Sequence, residues 1–155
     1  MINIFHTETA ADIADAQRLF REYETWLGMD LCFQSFEEEV RDLPGRYAKP
    51  EGRLFLAAVD EKPAGCVALR KLEKDVCEMK RLFVRGEYRG RGIGEMMVEK
   101  LIQAARAVGY QKIRLDTHPP KMKKALRLYE ARGFRIIPPY YDNPHGGVLF
   151  MELDL

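Results

Sequence analysis

Cysteine is scarce in this chain: three among 155 residues, an odd number, with no paired spacing. That speaks against a disulfide scaffold and for a reducing compartment. Cys66 and Cys77 fall in strand-like runs, where cysteine behaves as a small buried hydrophobe. No apolar run approaches a membrane span. The N-terminus lacks a basic segment followed by a long apolar stretch, so no secretory signal is read and a cytoplasmic location is expected. An excess of one charge is missing too. Lys and Arg number 25 against 24 Asp and Glu, a net +1, which gives no reason to expect nucleic acid or an acidic membrane as partner. The three histidines do not stand at metal-ligand spacing, so no metal is expected. Repeats and low-complexity segments are absent. The length predicts one domain over residues 1–155 with a real core, and nothing decides between a monomer and a homodimer.

What the chain has is glycine concentrated in one place. Arg89-Gly90-Arg91-Gly92-Ile93-Gly94 follows the apolar run Leu82-Phe83-Val84 and opens a helix-like pattern from Ile93 to Val108. A strand, a bare loop and a helix start together form an anion cradle. Free N–H groups point outward, and the helix dipole adds roughly half a positive charge. A phosphate or pyrophosphate suits it. The dinucleotide fingerprint fails, because Glu95 stands where its third glycine belongs. The ATP-type loop fails for want of any Gly-Lys-Ser/Thr triplet. What remains is Arg-x-x-Gly-x-Gly, at Arg89, Gly92 and Gly94, with a ligand-free glycine turn as the alternative.

The rest of the pattern is mixed. A weak strand at Ile2–His6 precedes a helix from Asp12 to Trp26, stopped by Gly28. Ser35 with Glu38 suggests a capping box for a second helix through Leu43, broken by Pro44-Gly45. Leu54–Val59, Ala64–Lys71 and Val76–Val84 read as three consecutive antiparallel strands. Then come the helix to Val108 capped by Gly109, a short strand Ile113–Leu115, a helix Lys121–Arg132 ended by Gly133, and strands Phe134–Ile137 and Val148–Leu153. A meander followed by alternation predicts an α+β (mixed α/β) fold with helices on both faces of the sheet.

The loop motif resembles the pyrophosphate-binding motif of the GNAT superfamily, the acetyl-coenzyme A-dependent N-acetyltransferases. Ala125–Phe134, with Leu128-Tyr129-x-x-x-Gly133-Phe134, resembles the family's second signature, and Cys77–Val84 resembles its central strand. Order and spacing match from about Phe55 to the C-terminus. The ending Tyr140-Tyr141-Asp142-Asn143-Pro144, followed by Leu149–Leu153, resembles a bacterial group of unassigned substrate. One departure is Met122, three positions before Ala125, where the family often has asparagine. The resemblance implies a GNAT fold around a mostly antiparallel twisted sheet. Its parallel strands at Leu82 and Leu115 would splay to admit the pantetheine arm of coenzyme A. It also implies pyrophosphate contacts from Gly90, Gly92, Ile93 and Gly94, with charge from Arg89 or Arg91, and pantetheine contacts along Leu82, Phe83 and Val84. Solvated arginines and plain core packing are the bland readings.

Transfer to an amine needs a proton removed, since an alkyl amine with a pKa near ~10.4 is almost wholly charged at pH 7. The resemblance makes Glu78 the base, directly or through water; the alternative is an ion pair with Lys80 on the same strand face. It makes Tyr129 the acid that meets the departing sulfur; the alternative is a core tyrosine. His118, just past the Leu115 strand, is a lesser candidate, and His6 and His145 are lesser still. Aromatic and acidic groups in Pro138–Pro144, together with Glu22, Tyr23, Trp26 and Glu37-Glu38-Glu39, would suit a cationic amine. The expected activity is transfer from acetyl-CoA to a primary amine of a small molecule, amino acid or peptide. The alternative is a coenzyme A-binding sensor without transfer activity. A nucleotide-binding module is disfavoured by the failed spacings.

Overall fold

A computed structural model describes residues 1–31 and 35–155. Its elements are β1 (Ile2–His6), α1 (Ala10–Leu27), α2 (Phe36–Arg41), β2 (Arg53–Val59), β3 (Lys62–Glu73), β4 (Val76–Val84), α3 (Ile93–Val108), β5 (Lys112–Thr117), α4 (Lys123–Ala131), β6 (Arg135–Ile137) and β7 (Leu149–Asp154). Among the described residues seven strands form one sheet in the order β1-β2-β3-β4-β5-β7-β6. Every neighbouring pair is antiparallel except β4 and β5. The mixed α/β architecture is the one expected.

Strand periodicity divides the core in two. Phe55, Ala57, Val67, Leu69, Cys77 and Met79 face α3, whose Ile93, Met97, Leu101 and Ala105 complete that side. Leu54, Leu56, Cys66 and Ala68 face the opposite way, toward Ala16, Leu19, Phe20 and Tyr23 of α1.

Two helix starts differ from the sequence reading. α1 begins at Ala10, because Thr9 is extended and forms a reciprocal capping box with Asp12. The capping box expected at Ser35 and Glu38 does not form. Ser35 takes φ 56°, and its hydroxyl makes no cap bond. An N-cap oxygen typically reaches the first-turn N–H groups from extended backbone. Likewise α4 starts at Lys123 rather than Lys121, because the N–H groups of Lys121 and Met122 both turn back to His118 O.

Candidate active site

Strands β4 and β5 pair only at Val76–Lys112, Cys77–Ile113 and Glu78–Arg114. Beyond that point β4 stays with β3 as far as Gly65–Val84, while β5 stays with β7 as far as Thr117–Leu149. The two strands therefore splay, and among the described residues the β4 edge past Glu78 has no strand beside it. A bulge in β4 accompanies the parting. Arg81 takes φ 63°, and the register slips so that Arg81 and Leu82 together oppose Val67. The extra residue reverses the facing. Cys77 and Met79 pack on the α3 side before the bulge, Leu82 and Val84 after it, and Phe83 turns toward α1.

A cavity of about 590 Å³ fills the gap. Leu82, Phe83, Val84, Arg89, Gly90, Gly92, Ile93 and Gly94 all line it. Gly90 and Gly92 take φ 83° and 78°, the left-handed region that favours glycine. A Cβ on Gly90, Gly92 or Gly94 would meet nothing within 4 Å, so packing does not explain the bareness of the loop. Gly65 is the contrast, where a Cβ would meet Phe83 O at 2.5 Å. Among the described residues no side chain caps the N-terminus of α3, which leaves first-turn donors for an anion. Lys121, Lys123 and Lys124 line the cavity as well, cations that the sequence reading had not assigned. Arg89 donates from Nε to Val84 O at 2.9 Å and lies over the Trp26 ring at 4.9 Å. Arg91 is absent from the lining; its guanidinium lies over Tyr88 at 5.7 Å. Free donors, an unpaired strand edge and clustered cations suit a long amide-bearing polyanion such as coenzyme A.

Past the point of parting, Tyr129 closes the cavity from the last turn of α4. It is buried, with its ring against Phe134 at 5.6 Å. Its hydroxyl has no hydrogen-bond partner among the described residues. Burial pushes the phenol well above its ordinary value, so it stays protonated.

Glu78 is placed otherwise than a base in the cavity would be. It is buried and does not line the cavity. Oε1 accepts from Arg70 Nε at 2.9 Å and lies 4.0 Å from Lys80 Nζ, while Oε2 accepts from Tyr140 OH at 2.6 Å. Burial pushes the carboxyl up, but Lys80, Arg70 and the Tyr140 hydrogen bond together outweigh it and hold it below the usual carboxylate range. Other expected acceptor groups divide the same way. Glu22 is taken by Arg85 and Glu39 by Arg81, whereas Tyr23 and Trp26 line the cavity. His6 binds the backbone of Thr7 and Leu54, away from the cavity, and His145 binds Asp30 O. Met122 lines the cavity, its sulfur accepting from Thr117 Oγ1 at 3.4 Å.

The carboxylate that does line the cavity past the parting is Asp116, on β5. Tyr141 OH donates to it. Burial raises its carboxyl, and Lys80 only partly offsets that. The sequence reading missed it. Alternation in Ile113–Thr117 puts Arg114 and Asp116 on one face, but period alone does not say that this face meets a cavity.

The acetyltransferase (GNAT) family model matches residues 13–134. An uncharacterized N-acetyltransferase from Schizosaccharomyces pombe is 36% identical over 156 residues, covering 99% of this chain and 95% of its own length. An acetyltransferase from Streptococcus agalactiae has the same fold, with a TM-score of 0.81 and 23% identity over 99% of this chain and 98% of its own. The PaiA N-acetyltransferase of Thermoplasma acidophilum, solved in complex with coenzyme A, superposes with a TM-score of 0.71 and 19% identity, covering 100% of this chain and 99% of its own. The chain belongs to the acetyltransferase (GNAT) family, and so to the N-acetyltransferases. The yeast relative is eukaryotic, so the bacterial affinity suggested by the C-terminal segment is not a boundary of this branch.

Proposed function

We propose that this protein moves the acetyl group of acetyl-CoA directly to a primary amine of a small molecule, amino acid or peptide. The observation that carries the reading is the splay itself: an unpaired β4 edge leads from a bare, uncapped helix start to a buried phenol. The α3 N-terminus and the lysines at 121, 123 and 124 would hold the phosphates, and Leu82 and Val84 would offer backbone partners to the pantetheine amides. Bound acetyl-CoA supplies an activated thioester carbonyl. Tyr129 would donate to the departing sulfur. Glu78, with both oxygens occupied, reaches a substrate proton only through a water relay; its geometry favours a fixed anion that orders Arg70, Lys80 and Tyr140.

A coenzyme A sensor would share the cradle, but it has no use for a hydroxyl that no described residue engages at the far end of the cavity. Acetyl-CoA with a panel of amines, read as free thiol released, tests the transferase reading. Melting shifts with acetyl-CoA, coenzyme A, ATP and NAD test the ligand. Stabilisation by the first two alone and amine-dependent thiol release are expected. Equal shifts with ATP, or no release with any amine, would count against the reading.

A further inference from the structure

We infer that Asp116 receives the acceptor, its carboxylate holding the ammonium of a primary amine and taking one proton from it. The inference rests on the transferase reading above. A second recess, about 30 Å³, adjoins the main cavity beside the end of α1, the end of β5 and the loop before β7. The two share Tyr23, Arg81, Asp116 and Met122 as walls. Asp116 is the one carboxylate among the described residues that lines both. An acceptor in the main cavity meets it where the two spaces join, with Tyr129 lining the same cavity.

Asp116 is the group at this junction for a further cation, since Lys80 beside it only partly offsets its burial. Arg81 is already spent on Glu39, through Nε at 2.9 Å and Nη2 at 3.1 Å. Tyr23 contributes a ring wall, and Asn143 supports the Tyr141 hydroxyl at 2.9 Å while that hydroxyl holds Asp116. His118 stands in the same wall, its Nε2 donating to Gly146 O at 3.1 Å.

Groups face Asp116 from every neighbouring element: Glu78, Lys80 and Arg81 from β4, Tyr23 from α1, Tyr129 from α4, Tyr140 and Tyr141 from the loop, and His118 from its own strand end. The environment separates the two carboxyls. Glu78 is held down and Asp116 is pushed up, the arrangement that makes one a fixed charge and the other a proton acceptor. In the step proposed, an N–H bond of the ammonium breaks, its proton goes to Asp116, and the electron pair stays on nitrogen. That pair forms the C–N bond to the acetyl carbonyl, and the C–S pair leaves on sulfur. Tyr129 gives sulfur its proton and regains one from the nitrogen. Asp116 then releases its proton to solvent.

The test uses Asp116→Asn and Asp116→Glu with L-lysine, a dipeptide and putrescine as probes. Calorimetry in the presence of coenzyme A should find the affinity for the preferred probe at least tenfold weaker in the Asn variant, with coenzyme A affinity unchanged. Turnover at neutral pH should fall about 10²–10⁴-fold. The deficit should shrink as pH approaches the amine value near ~10.4, where solution supplies neutral amine. Asp116→Glu, which keeps the charge, should recover part of both. An Asn variant with wild-type probe affinity, or one whose loss is equal at every pH, overturns the proposal. If the wild type acetylates no probe, the transferase reading fails by itself, and the calorimetric comparison still decides whether Asp116 holds the amine.

Discussion

Tyr129 and Glu78 were assigned together from the sequence, and their surroundings separate them. Tyr129 lines the cavity and its hydroxyl has no partner among the described residues, so Tyr129→Phe removes one donor and keeps the ring on Phe134. General acid catalysis is worth about 10²–10⁴ in rate. The lower end or less is expected, because a thiol of pKa near ~8.5 already leaves well. Single-turnover transfer should slow while coenzyme A affinity holds; equal rates would return the residue to the core. Glu78 is the reverse case. Glu78→Gln breaks a buried ion pair by removing one partner, which typically costs about 3–5 kcal/mol. Denaturant unfolding should register that loss, whereas a variant of wild-type stability would mean Glu78 contributes little to the fold. The strand resemblance located Glu78. It carried no information about Tyr140, which lies 62 positions away and occupies its second oxygen.

At the scale of elements, the glycine loop is the clearest case. Its sequence predicted the bare helix start, and the structure leaves open space above each of its three cavity-lining glycines. Gly94 lies inside α3 without a left-handed φ, so a side chain there meets no backbone strain. Gly94→Val should leave the melting temperature equal or higher, since valine propagates a helix better than glycine. Coenzyme A affinity should fall at least tenfold, or about 1.4 kcal/mol, measured by calorimetry. Unchanged affinity would place the cofactor elsewhere. The strands at β2, β3 and β4 were legible because alternation and turn residues are local signals. The bulge at Arg81 was not. A period-two reading carries Met79, Arg81 and Phe83 along one face, and the left-handed residue breaks that count midway. The failed Ser35 cap has a similar origin: residue spacing met the rule, and the backbone angle did not.

At the scale of the whole molecule, the long-range ion pairs set the response to acid. Glu78 is held below its ordinary value. Glu152, which burial pushes up, is brought below its own by Arg114 and Lys112. A depressed folded value means the unfolded chain takes up the proton first, so the stability from these groups is complete above the unfolded value and is lost as pH falls through the folded one. Asp116, raised by burial, runs the opposite way, because protonating it relieves a cost. The melting temperature should therefore stay nearly level from about pH 7 to about pH 5 and fall below about pH 4. The fall should be shallower in Glu78→Gln; an identical acid limb would show that Glu78 is not among the linked groups. By itself the sequence determined the mixed fold, the strand–loop–helix cradle, the family and the tyrosine at the end of α4, because each is written in neighbouring residues. Only the tertiary structure decided that Asp116, and not Glu78, meets the cavity. Glu78 interrupts an apolar strand pattern, and Asp116 takes a polar place in an alternating one. What separates them is where β4 and β5 part, just beyond the Glu78–Arg114 pair, and which side chains from the loop before β7 reach each oxygen.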